Sequence, residues 1–135
     1  MGRDANVKAQ ENLVENINEG DVDAAVETFA EDAVDHDPAP DQAPGREGFR
    51  VFWTTLTTAF PDAHLEGRHE VVTDDHIVAA YMLTGTHEGE FLGIAPTGKR
   101  IEINGVQVGR FEDGKLVERW GSSDELGIMR QIGAL

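Results

Sequence analysis

The sequence predicts an α+β domain, and three observations predict it. Apolar residues recur at helical spacing through the first 60 positions, they alternate or run in short stretches from His64 onward, and the two patterns do not interleave. Helices first and antiparallel strands second suits a curved sheet covered on one face by helices, not a parallel α/β fold. At 135 residues the chain fits a single domain, 1–135, with no internal repeat or low-complexity tract.

Asp4 is placed to cap a first helix carrying Val7, Leu13, Val14 and Ile17 on one stripe, and Gly20 ends it. Asp21 caps a second helix that turns Val22, Ala25, Val26 and Phe29 inward. Val34-Asp35-His36-Asp37-Pro38 reads as a short extended segment stopped by proline, followed by a Pro-rich loop to residue 45. A third helix runs from Arg46 to Phe60 and stops before Pro61, with Phe49, Phe52, Trp53, Leu56 and Phe60 as the bulkiest apolar face of the chain. Strands are expected over 64–73 and 76–87, then over 100–111 and 115–124 around the turn Glu112-Asp113-Gly114. A short helix with Leu126, Met129 and Ile132 closes the chain.

If Arg110 pairs with Leu116 across the last turn, Val108 faces Glu118, Val106 faces Trp120 and Asn104 faces Ser122. Alternation then puts Val106, Val108, Arg110, Glu118, Trp120, Ser122 and Asp124 on one face, an apolar wall with a few polar groups that suits a small-molecule pocket. Ile101, Ile103, Phe111 and Val117 fall on the other face without an obvious cover, which suggests a homodimer interface there.

Composition narrows the partners. Asp and Glu number 26 against 11 Lys and Arg, a net charge of -15, which repels nucleic-acid backbones and anionic membranes. The acids are spread along the chain, as on the solvated surface of a halophilic protein, where salt screens self-repulsion. The absence of cysteine excludes disulfides and thiolate chemistry. Met1-Gly2-Arg3-Asp4 opens without an apolar run and no stretch approaches a membrane span, so a cytoplasmic location is expected. There is no phosphate loop, no nucleophile elbow at Ser122-Ser123 and no histidine spacing that suggests zinc, so no metal or cofactor is called for.

The ordered motifs are more specific. Asn18-Glu19-Gly20-Asp21, His36-Asp37-Pro38, Gly45-Arg46-Glu47-Gly48-Phe49, Phe60-Pro61-Asp62, Gly85-Thr86-His87, Pro96-Thr97-Gly98-Lys99, Trp120, Asp124 and Arg130-Gln131-Ile132-Gly133 follow one another along nearly the whole chain. In that order they resemble the SnoaL-like polyketide cyclase and ester cyclase family. The resemblance implies a cone-shaped α+β barrel of the nuclear-transport-factor-2-like kind, its antiparallel sheet taking the N-terminal helices on the concave face and a pocket between them. It implies ring closure by an intramolecular aldol reaction without metal or cofactor. It also implies that Asp124 holds the place of the family's acid/base aspartate, while Arg110 stands where those cyclases carry an assisting histidine.

Each candidate side chain has a functional and a structural reading. Asp124 can move a proton next to a carbonyl if Trp120 and Val106 raise its pKa, or it can cap the helix from Glu125 to Gln131. His87 can donate to an enolate oxygen or fix its own loop. His36, oriented by Asp37, can line the pocket mouth. Arg110 and Glu118 can form an ion pair that holds a substrate carboxylate or ester carbonyl, or an ordinary surface pair. Phe49, Trp53 and Tyr81 are pocket aromatics, the first two being core residues first by their helical spacing. His64, His69 and His76 are surface residues and Lys99 is solvated.

The expected activity is acid/base chemistry on a small apolar carbonyl compound, with Asp124 as general acid/base and His87 or Arg110 stabilising the oxygen charge. Ketosteroid-isomerase-like or epoxide-hydrolase-like chemistry on the same scaffold and a non-catalytic ligand-binding dimer are the alternatives. One buried base favours enolate chemistry, whereas an Asp-Arg-Asp chain around a water favours epoxide hydrolysis.

Overall fold

The computed structural model describes residues 2–135. Five strands, β1 (Phe29–Asp35), β2 (His64–Val72), β3 (His76–Thr86), β4 (Arg100–Glu112) and β5 (Lys115–Ser123), form an open curved sheet in the order β1-β5-β4-β3-β2. The helices are α1 (Gly2–Asn18), α2 (Val22–Val26), α3 (Arg46–Ala59) and α4 (Glu125–Gln131). The α+β class and the cover of N-terminal helices are as the sequence predicts. The sheet, however, does not close into a barrel, and it is mixed, because β1 runs parallel to β5 with Asp35 opposite Arg119.

Local chemistry explains the elements. Ala9, Leu13 and Ile17 bury one stripe of α1, and Asn18 pins its end to β2 by exchanging two hydrogen bonds with the Leu65 backbone, at 2.7 and 3.0 Å. Asp21 caps α2 by accepting from the Ala24 amide at 3.1 Å. Phe29 is not part of α2: it opens β1, where the Arg46 guanidinium donates to its carbonyl at 2.9 and 2.6 Å. Its ring stacks on Phe49 of α3 with centroids 4.0 Å apart. A buried phenylalanine contributes roughly 1.5–3 kcal/mol, so this pair is a principal tie between helix and sheet.

The last hairpin corrects the expected register. Asp113 and Gly114 both have positive φ, 51° and 75°, which makes a tight two-residue turn with Glu112 opposite Lys115 and Phe111 opposite Leu116. A bulge follows, leaving Val117 over, so that Arg110 faces Glu118, Val108 faces Trp120 and Val106 faces Ser122.

The two faces of the sheet are the reverse of the sequence expectation. Ile101, Ile103 and Phe111 are 0, 3 and 2 % exposed, sealed with Leu13, Ile17, Phe29 and Phe60 into one core. That face is covered by this chain's own helices and offers no dimer interface. The opposite face carries Glu102, Asn104 and Val106, all exposed, with Arg110, Glu118 and Trp120 half-buried. Among the described residues no helix is long and apolar enough to cross a membrane.

Candidate functional site

The helix-covered side of the sheet is sealed at both ends and accessible between them. Along β4 Ile101, Ile103, Gly105, Gly109 and Phe111 are buried, but Gln107 is not. On β3 Tyr81 is half-buried between buried Ala79 and Leu83, and on β5 Arg119, Gly121 and Ser123 are half-buried beyond buried Leu116. Register makes these positions neighbours: Gly105 pairs with both Tyr81 and Ser123, Gln107 with Gly121, and Gly109 with Arg119. A polar row therefore crosses three strands in the middle of an otherwise apolar face.

Arg119 is its best-fixed member. Its Nη1 donates to both Asp35 carboxylate oxygens, at 3.0 and 3.3 Å, and to the Asp37 carbonyl at 3.2 Å, and its Nε donates to Gln107 Oε1 at 3.3 Å. Asp35 also accepts from the Asp37 amide and from Gln42 Nε2, both at 3.0 Å. Asp37 Oδ2 takes the Gly121 amide at 2.9 Å. Burial pushes the Tyr81 phenol above its ordinary pKa, against the opposing pull of the Arg119 charge and of Ser123, so it stays a hydrogen-bond donor. Sequence reasoning passed over Asp35, Gln107 and Arg119. The signal was Ile101-x-Ile103 against Glu102-x-Asn104, which marks the odd positions of β4 as the inward set.

The expected site residues fall into four places. Asp124 follows β5 and caps α4, its Oδ1 accepting the Gly127 amide at 2.8 Å, and it is exposed; Oδ2 has no hydrogen-bond partner among the described residues. A shallow depression of about 560 Å³ takes in Asp124 with Val106, Ser122, Tyr81, Gly105 and Ser123. Phe49 is core at 3 % exposure, and Trp53 packs half-buried against the core with its ring edge-on to Phe52 at 5.3 Å.

Arg110, Glu118, Trp120 and His36 assemble on the uncovered face, not under the helices. Glu118 accepts from Arg110 Nε at 2.5 Å and pairs with His36 Nε2 at 2.8 Å, while the His36 ring stacks on Trp120 with centroids 4.6 Å apart. Hydrogen bonds from His36 and then Arg110 hold the Glu118 carboxyl below the usual carboxylate range. Glu118, opposite Arg110, lies six residues before Asp124, roughly 20 Å along an extended strand, so Arg110 and Asp124 do not meet at one reacting atom.

His87 is completely buried beside Phe60. Its Nδ1 accepts the Thr97 amide at 3.3 Å and lies 3.0 Å from the Thr97 hydroxyl, which leaves the ring proton on Nε2, where no described group meets it. It has no hydrogen bond to Asp124; it ties the 88–99 loop to the end of β3, and the Glu88 and Gly89 amides fasten the start of that loop to the Ala59 carbonyl at 3.0 Å. No group of three or more metal-ligating side chains occurs among the described residues.

A family model, the SnoaL-like polyketide cyclases, matches residues 7–132. The aklanonic acid methyl ester cyclase DauD of Streptomyces sp. strain C5 is 31 % identical over 127 residues, covering 90 % of this chain and 77 % of that protein. The cyclase DnrD of Streptomyces peucetius, of the same description, is 32 % identical over 75 % of this chain and 68 % of its own length. Among solved structures, TsrD from Streptomyces laurentii superposes with a TM-score of 0.89 at 28 % identity, covering 100 % of this chain and 99 % of that one. IdmH from Streptomyces antibioticus superposes with a TM-score of 0.80 at 32 % identity, covering 94 % and 97 %.

Proposed function

Because this chain belongs to the SnoaL-like polyketide cyclase family, we propose that it closes a ring in a small apolar carbonyl compound of polyketide-ester type, by acid/base chemistry that needs no cofactor. The observation that carries this reading is the exposed Asp124 carboxylate, whose Oδ2 has no hydrogen-bond partner among the described residues and which borders a depression with Val106, Ser122 and Asn104. Asp124 Oδ2 takes the proton from the carbon next to a carbonyl, and the resulting enolate carbon attacks a second carbonyl of the same molecule. One carbon-carbon bond forms, and the proton returns to the new alkoxide. The Ser122 hydroxyl lines the same depression and is a candidate donor to the oxygen that becomes charged, and donors of that kind supply much of such catalysis. The two curated relatives are named for a methyl ester substrate, which supports an uncharged substrate here.

The helix cap at Asp124 favours the competing reading, a ligand-binding module without turnover. Asparagine caps as well as aspartate. Asp124→Asn therefore keeps the cap and removes only the base, whereas Asp124→Ala removes both. With aklanonic acid methyl ester as trial substrate, turnover lost about a hundredfold in the Asn variant at unchanged melting temperature supports the base. Full turnover in that variant rejects it. The epoxide-hydrolase alternative is only half built: Asp35 meets Arg119 through its carboxylate, but Asp37 offers Arg119 a backbone carbonyl.

The protein is a homodimer on this reading, joined through the uncovered face. Val34 and Val71 are 47 and 50 % exposed there, and the charges of Arg110, Glu118 and His36 already answer one another. A soluble, cytoplasmic protein of high-salt surroundings fits the charge.

A further inference from the structure

Arg119 has one unspent edge. Its Nε and Nη1 are committed to Gln107, Asp35 and the Asp37 carbonyl, while Nη2 makes no hydrogen bond among the described residues. Nη2 is nevertheless not sealed off: among the described residues the buried side-chain atoms without a partner are Asn6 Oδ1 and His87 Nε2. It lies flat along β5 because residue 121 is glycine; a Cβ there would come within 2.6 Å of it. The guanidinium is thus rigid, one-sixth exposed (16 %), and aimed with a free donor edge into the polar row that contains Tyr81 and Ser123.

We propose that Arg119 Nη2 binds a neutral carbonyl oxygen of a ligand held between the helices and the polar row, and so sets which molecules fit. The inference rests on the reading of this cleft as the place of a carbonyl substrate. The choice of a neutral oxygen follows from charge. Asp35 neutralises the guanidinium, the Asp37 carboxylate stands one hydrogen bond away on Gly121, and the chain as a whole carries -15. A carboxylate ligand meets no net positive charge here, whereas a ketone or ester oxygen meets a fixed, directed donor without the cost of desolvating an anion. Asp35 and Gln107 act as positioning residues, since they touch Arg119 and not the ligand.

Binding of methyl anthraquinone-2-carboxylate and of its free acid, same skeleton and opposite charge state, measures this by calorimetry on the full chain. The methyl ester is expected to bind about tenfold more tightly than the anion, and Arg119→Lys to lose about tenfold of the ester affinity, one directed hydrogen bond. Gly121→Ala keeps every charge but displaces the Nη2 edge, and is expected to weaken the ester likewise without touching Arg119. Equal binding of ester and anion, no binding of either by the wild type, or unchanged ester affinity in both folded variants overturns the proposal. The same titration on Asp124→Asn separates the two claims. Ester affinity that depends on Arg119 in a protein whose turnover does not depend on Asp124 leaves the subsite standing and removes the base.

Discussion

The Tyr81 phenol lies across Gly105 on the neighbouring strand, so closely that a Cβ at position 105 would overlap the ring and its hydroxyl. Glycine is required at 105 for the space of another side chain, not for its own backbone freedom. Gly105→Ala is expected to cost about 1–3 kcal/mol by overpacking and to turn the phenol out of the row. Gly105→Ala with Tyr81→Phe would still overlap, whereas Gly105→Ala with Tyr81→Ala should recover part of the loss. Denaturant unfolding of the three variants checks this, and no recovery in the last one would place the strain elsewhere.

The Glu118 carboxyl makes stability depend on pH. Hydrogen bonds from His36 and Arg110 lower its folded-state pKa, so the ionised form favours folding above the unfolded-state value, and that contribution disappears as pH falls through the folded-state value. The wild-type melting temperature should fall more steeply from about pH 5 downward than that of Glu118→Gln. Parallel curves would mean that the bonds from His36 and Arg110 do not persist in solution.

The buried contact between His87 and Thr97 predicts which segment loosens first. His87→Ala leaves a cavity beside Phe60 and removes the acceptor for the Thr97 amide. A loss of about 2–4 kcal/mol is expected, with faster hydrogen exchange at Thr97 than in β4. Uniform acceleration across the sheet would show instead that the loop is not a separate unit.

Val71 lies 50 % exposed on the uncovered face. Val71→Asp should yield a monomer of unchanged fold, seen as a halved mass in light scattering, if two copies pair there. A dimer that survives this change joins through another surface.

The spread of acidic charge predicts a melting temperature that rises between about 0.1 and 2 M KCl, because the screening length shortens from about 10 Å to under 3 Å. A flat or falling response would show that self-repulsion does not limit this fold.

Much of the scaffold was legible because its signals are local. The spacing of Leu13 and Ile17, the cap at Asp21, the stop at Pro61 and the turn at Asp113-Gly114 each act within a few residues. The site was less legible. Asp124 is both a cap and the edge of the depression, and its neighbours in sequence do not reveal that Tyr81 shares that depression. The pairing of β1 with β5 joins Asp35 to Arg119 across 84 residues, a distance over which no pattern in the chain registers.

By itself the sequence determined the order of helices and strands, the place of the tight turn and membership of the family. Only the tertiary structure decided which side of the sheet looks inward, and with it which of two alternating sets of residues could meet a ligand. A period of two divides a strand into two sets but does not say which one the helices will cover. Here both sets mix apolar and polar residues, and the decision falls to the packing of Leu13, Ile17, Phe29 and Phe60 against Ile101, Ile103 and Phe111.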